Sequence, residues 1–178
     1  MQSNKLKPFI LIIIFWMVLF SGYVGFKEYT INQGKEFILP VIPVDPSDLL
    51  RGDYVILNYN ISRINQDSSY FYSENLKLGD TVYVQVNNEV SIEQLNVFTD
   101  LSQVYNSPNS VVLKGRIQDI DDSSISVSYN IEKFFIQRGT GGEIEDGIRN
   151  GNAFVKISVD RFGNAVIKSL IIGEKMYE

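Results

Sequence analysis

Thr81-Val82-Tyr83-Val84-Gln85-Val86 and, later in the chain, Ser124-Ile125-Ser126-Val127-Ser128-Tyr129 alternate apolar and polar residues strictly. That period of two marks strands with one face on a core and the other toward water. Working outward, runs rich in Val, Ile, Tyr and Phe recur between clusters of Gly, Asn, Asp and Ser. They predict strands near residues 37–44, 54–61, 80–87, 90–98, 110–119, 124–130, 132–137, 152–159 and 164–172. Asn87-Asn88 reads as a two-residue hairpin turn, and Arg161-Phe162-Gly163-Asn164 as a second turn. Helix is sparse. Asp45-Pro46-Ser47-Asp48-Leu49-Leu50 suits one turn, with Asp45 as cap and Pro46 at the first helical position. Gly141 to Asn150 suits another, its acids placed for an early turn. The expectation is a mainly β chain, a sandwich or small barrel with one or two short helices.

The N-terminal part is different. Phe9 to Phe26 reads FILIIIFWMVLFSGYVGF, 18 residues without a charge, which reaches the length of a transmembrane helix. A cleaved signal peptide and a buried core helix are the rival readings. Ser21-Gly22-Tyr23-Val24-Gly25 makes a poor cleavage site, and nothing polar alternates along the segment as a core helix would require. The expected division is a cytoplasmic tail over 1–8, an anchor over 9–26, a stalk over 27–36 and an extracytoplasmic β-rich domain over 37–178. Positions 27–36 also suit the last helical turns leaving a membrane. Lys5 and Lys7 lie before the segment and Lys27 and Lys35 soon after, nearly a tie by Lys and Arg alone. The short tail and the compact acidic domain favour the N-terminus inside.

Composition excludes several chemistries. Of 16 Lys and Arg, two are Lys5 and Lys7, so 14 face 21 acids in the remainder. Such an acidic domain repels nucleic acid. The chain holds no Cys and no His. That removes disulfides, thiolate nucleophiles, a Ser-His-Asp triad and His- or Cys-ligated metals. Any enzyme here would have to use carboxylates, Lys, Tyr, Ser or Thr. No cofactor or metal is expected.

DLLRGDYVIL (48–57) and NLKLGDTVYV (75–84) share the form Leu-x-x-Gly-Asp-x-Val-x-apolar. Gly supplies a positive φ, Asp bonds the turn's own backbone, and a strand begins at once. These are two similar strand entries rather than a repeat array. The first continues as Gly52-Asp53-Tyr54-Val55-Ile56-Leu57-Asn58-Tyr59-Asn60-Ile61. This resembles the bacterial membrane-anchored family named for its Gly-Asp-Tyr-x-x-Leu-x-Tyr motif, carried here by Gly52, Asp53, Tyr54, Leu57 and Tyr59. The stretch from Pro43 to Arg51 is similar to the family's lead-in. Val112–Arg116, Tyr129–Phe135 and Val159–Ile167 look like its later blocks. Members usually carry Gly where this chain has Asn130, and Val-Pro-Glu in place of Ile136-Gln137-Arg138. The resemblance implies an N-terminal anchor and a β-rich domain, and no activity.

Tyr54 and Tyr59, five apart on one strand, point to opposite faces, one suited to the core and one to an edge or surface. Tyr70, Phe71 and Tyr72 interrupt a polar loop and form a candidate exposed aromatic patch. Arg51-Gly52-Asp53 matches an integrin-binding tripeptide by chance, since Gly-Asp already has a turn role. Glu132 lies in an apolar run; facing inward it would need Arg51, Arg63 or Arg116 as partner. Glu143, Glu145 and Asp146 match no EF-hand and suit a solvated helix start. A Ser–Lys hydrolase like the signal peptidases would need a Lys on the strand after Gly-Asp, and none stands there.

The leading expectation is a non-enzymatic extracytoplasmic binding or assembly module, anchored in a bacterial cell membrane and acting with an integral membrane partner. Its candidate surface comprises Arg51, Tyr54, Tyr59, Tyr70, Tyr72 and Glu132. The alternatives are an envelope hydrolase using carboxylates or a Ser–Lys pair, and a small-ligand-binding barrel.

Overall fold

A computed structural model describes residues 6–43, 54–67, 69–71, 76–87, 95–104, 109–137 and 139–178. The helical turn expected over 45–50 lies outside these residues, as do Arg51, Gly52, Asp53 and Tyr72. The chain begins with helix α1 (Leu6–Gln33), whose stretch Lys7–Phe26 is apolar and unburied along its length. At 1.5 Å per residue those 20 residues span about 30 Å, the thickness of a bilayer's hydrocarbon. A signal segment passes the same test of length and composition. The helix runs on through the positions expected as a stalk, and strand β1 (Lys35–Ile42) follows after Gly34 alone.

The strands after β1 are β2 (Tyr54–Ile56), β3 (Asn58–Tyr59), β4 (Arg63–Asn65), β5 (Tyr70–Phe71), β6 (Thr81–Asn87) and β7 (Asn96–Phe98). Then come β8 (Ser110–Ile120), β9 (Ser124–Ser128), β10 (Lys133–Phe135), helix α2 (Gly141–Arg149), β11 (Ala153–Val159), β12 (Ala165–Ile172) and β13 (Lys175–Tyr177). One sheet has the order β13-β12-β11-β1-β3, a second the order β4-β9-β8-β6-β7-β5, and β10-β2 form a ribbon. The two large sheets curl over a shared interior, a half-barrel or sandwich.

The apolar half of the alternation read in the sequence becomes burial, but the polar half does not all face water: Gln85 and Ser124 are buried as well. Val82, Val84 and Val86 of β6 and Ile125 and Val127 of β9 face one continuous core. Phe37, Leu39 and Val41 of β1 and Val155, Ile157 and Val159 of β11 meet them from the other sheet. Helix α2 adds Ile144 and Ile148, both buried. The fold thus rests on the hydrophobic removal of one large apolar set from water.

Two strand expectations are corrected. The run 54–61 is not one strand: it leaves β10 at Leu57, joins β1 at Asn58 and enters a 3-10 turn at Asn60–Ser62. Nor is Asn87-Asn88 a two-residue hairpin turn. Val84 faces Val97 and Gln85 faces Asn96, whereas that turn would set Val86 opposite Glu89. The paired strand lies further along, so the connection is long.

The predicted turn at Arg161–Asn164 is present. Asp160 Oδ1 accepts from Phe162 N at 2.8 Å and Asn164 N at 2.9 Å, and Gly163 takes φ +83°. The turn also docks on the second sheet, where Lys114 N donates to Gly163 O at 2.8 Å. A Cβ on Gly163 would stand 3.0 Å from Lys114 N, so both conformation and space demand glycine there. The second Gly-Asp entry behaves as expected: Gly79 has φ +85°, Asp80 Oδ2 accepts from Lys77 N at 2.9 Å, and β6 starts at Thr81.

Candidate functional site

The motif strand and the strand that answers it form the best-defined side-chain arrangement. Residues 54–65 and 124–135 run antiparallel past one another. At one end β2 pairs with β10, Tyr54 opposite Phe135 and Ile56 opposite Lys133, and Leu57 N donates to Glu132 O at 2.8 Å. At the other end β4 pairs with β9, Arg63 opposite Ser126 and Asn65 opposite Ser124. Between these ladders the backbones part, and two tyrosines bridge the gap. Tyr59 Oη donates to Ile131 O at 2.5 Å, and Tyr129 Oη donates to Ile61 O at 2.7 Å. Each donor belongs to a Tyr-Asn-Ile tripeptide, and each acceptor is the last residue of the other copy. The clasp is reciprocal.

Local geometry makes room for it. Asn130 adopts φ +61°, a left-handed conformation Asn tolerates better than most residues. Glu132 caps the resulting turn by accepting from Tyr129 N at 2.5 Å. Across the sheet, a Cβ on Gly115 would fall 2.3 Å from Val127 Cγ1 and 3.0 Å from Tyr129 Cε1. The absence of a side chain at 115 is what admits the Tyr129 ring.

Both clasp rings are buried, Tyr59 1% and Tyr129 2% exposed, and Leu57 is fully buried beside them. Burial first, and the nearby Glu132 carboxylate second, push both phenols far above the ordinary tyrosine value. They remain neutral donors to carbonyls through the physiological range, so their chemistry is structural.

The remaining candidates separate in space. Tyr54 is half-buried, its ring 6.1 Å from Phe135 and under Lys133, whose Nζ lies 5.6 Å from the ring centroid. Phe135 is 75% exposed, so this ribbon presents two rings and a cation to solvent. Tyr70 is exposed on β5, the end strand of the other sheet. Glu132 meets neither Arg expected for it among the described residues: Arg63 pairs with Asp121 at 3.3 Å and Arg116 Nε donates to Gly79 O at 3.0 Å. A backbone N–H takes the arginine's place. Glu143 and Glu145, singled out with Asp146 as a possible cation cluster, pair with Lys175 and Arg149.

Sequence reading missed Tyr129 as the partner of Tyr59. The signal was present: Tyr-Asn-Ile occurs at 59–61 and again at 129–131. It also missed the trio of Glu36, Lys156 and Lys168 on the outer face of the first sheet. There Lys156 and Lys168 each reach a different Glu36 oxygen at 2.7 Å. A bulge in β12 brings Lys168 to that face, since Lys156 pairs with Ser169 and Ile157 with Ile167. These hydrogen bonds hold the Glu36 carboxyl at about 2.

Comparison with curated proteins and with solved structures found no match. A family model does match, over residues 15–170, from the apolar helix to β12 and across both Tyr-Asn-Ile arms. On that span the chain belongs to the GDYXXLXY protein family, and the motif of that name supplies one arm of the tyrosine clasp.

Proposed function

We propose that the chain is a membrane-held, non-enzymatic binding or assembly module whose β-domain lies on the extracytoplasmic side and acts with an integral membrane partner. The observation that carries this reading is the join between helix and domain. Only Gly34 separates α1 from β1, and the helix lies against β11 and β12. Such a join holds the domain at the surface, at one height, within reach of other proteins of the same bilayer. The buried tyrosines and Glu132 serve the fold, which leaves the exposed Tyr54–Phe135 ribbon with Lys133 as the favoured contact surface. Aromatic rings beside a cation suit a protein partner, because they offer apolar area with little side-chain entropy to lose.

A photo-crosslinking side chain at Phe135, and separately at Tyr54, tests this in intact membranes. Both positions should yield the same integral membrane protein, and a control at the exposed Glu174 should not. Adducts equally frequent at all three positions, or none at Phe135 and Tyr54, would remove the ribbon and the partner reading with it.

A further inference from the structure

A cleft of about 710 Å³ opens where the helix meets the domain. It lies between the end of α1, the 3-10 turn at Leu101–Gln103, the start of β8 and the β11–β12 turn. Its apolar wall includes Phe26, Leu101, Val104 and Phe162, and two cations, Lys35 and Arg161, border it. We propose that this cleft binds one anionic phospholipid of the leaflet that Phe26 borders. Its phosphate would lie at Arg161 and Lys35 and an acyl chain along Phe26, Leu101 and Val104. This rests on the reading of α1 as a membrane anchor.

Position is the first support. Phe26 ends the apolar stretch and therefore stands at the hydrocarbon boundary of a spanned bilayer. The helix continues to Gln33, which at 1.5 Å per residue is about 10 Å higher. A bilayer's polar layer is roughly 5–8 Å thick on each side. The cleft, lined by both Phe26 and Lys35, therefore spans the depth at which phosphates lie.

Charge is the second. The domain as a whole is acidic, yet the charges facing the cleft are Lys35, Arg161 and Asp160. Asp160 is committed to its own turn, accepting from Phe162 N, Asn164 N and, at 2.9 Å, Asn164 Nδ2. Arg161 stacks 4.7 Å above the Phe162 ring and pairs with no carboxylate among the described residues. Stacking one face leaves its N–H fork for a phosphate, the anion that guanidinium geometry matches best. Lys35 Nζ donates to Ser110 O at 2.7 Å, which fixes the ammonium at the cleft edge. Phe162 is 46% exposed at the turn's tip, an apolar ring that water disfavours and an interface accepts.

The experiment places the full-length chain in nanodiscs of equimolar phosphatidylcholine and phosphatidylglycerol, then weighs the lipid retained after gentle release by native mass spectrometry. The wild type should retain phosphatidylglycerol selectively. Arg161→Gln should cut that retention about fivefold, the effect of one cation near an anionic surface. Lys77→Gln, at an exposed turn outside the cleft lining, should leave it unchanged, and matching circular dichroism should show both variants folded. Alkaline carbonate extraction of the same chain separates the two readings. A chain released by carbonate overturns the anchor and the lipid site together. A chain that stays embedded, yet retains no more phosphatidylglycerol than Arg161→Gln, overturns the lipid site alone.

Discussion

The tyrosine clasp and the helix–domain cleft are opposites in physical character. In the clasp both tyrosine hydroxyls have a carbonyl partner and both rings are out of water. In the cleft a guanidinium and an aromatic ring face outward, and the Asp160 carboxylate is committed to its own turn. The motif that names the family reaches into the first region through Leu57 and Tyr59, both buried. Nothing comparable constrains Arg161 or Phe162. The motif thus closes the fold through Leu57 and Tyr59, while its Tyr54 stays half-buried at the surface beside Phe135.

Substitutions can break this contrast. Leu57→Ala has the largest expected effect, a loss of about 2–5 kcal/mol, since it opens a cavity at a fully buried site. Denaturant unfolding of the full chain in detergent measures it, and lipid retention by the fraction still folded should not change. Tyr59→Phe and Tyr129→Phe should each cost about 1–3 kcal/mol by stranding a buried carbonyl. A double-mutant cycle sharpens the point. Costs that add within error would mean two independent bonds, whereas coupling of about 0.5–3 kcal/mol would mean one cooperative clasp. Gly163→Ala should cost roughly 1 kcal/mol or more, because φ +83° and the nearby Lys114 N both oppose a Cβ. It also shifts the turn bearing Arg161 and Phe162, so it should be the one substitution here that lowers stability and lipid retention together.

The smallest effect concerns pH. The Glu36 carboxyl lies at about 2 in the folded chain against an ordinary 4.5. Its contribution is therefore present above the unfolded value and is lost as pH falls from about 4.5 toward 2. Glu36→Gln should flatten the stability profile in that window and leave it unaltered at neutral pH apart from a small offset, because exposed ion pairs contribute little. An unchanged acid limb in the variant would show that the two lysines do not hold this group.

Much of the architecture was legible because it depends on periodicity. The alternation at 81–86 and 124–129 and the turns at Gly79 and Gly163 each follow from residues close in sequence. The break at Leu57 was not legible. Residues 54–61 are uniformly strand-like, and only their distant neighbours, β10 and β1, decide that the pairing changes partner. The long β6–β7 connection was hidden for the same reason: Asn-Asn favours a tight turn locally, but the register is set across the sheet. Within the candidate set, Tyr59 and Tyr54 were separable into inward and outward residues by strand parity. The Tyr129 bond and the cleft were not, since both join segments far apart in the chain.

The clasp also has a consequence in time. Its donors and acceptors lie 72 and 68 residues apart. At roughly 5–20 residues per second of synthesis, several seconds separate the appearance of one arm from that of the other. During that interval Val55, Leu57, Ile61 and Ile64 have no strand to cover them, and loop closure must be completed before any bond rewards it. The apolar helix is made first, and as the anchor proposed above it would hold this waiting segment beside a bilayer rather than free among other nascent chains. On this view the order of elements along the chain keeps the first arm of the clasp in place until the second is made.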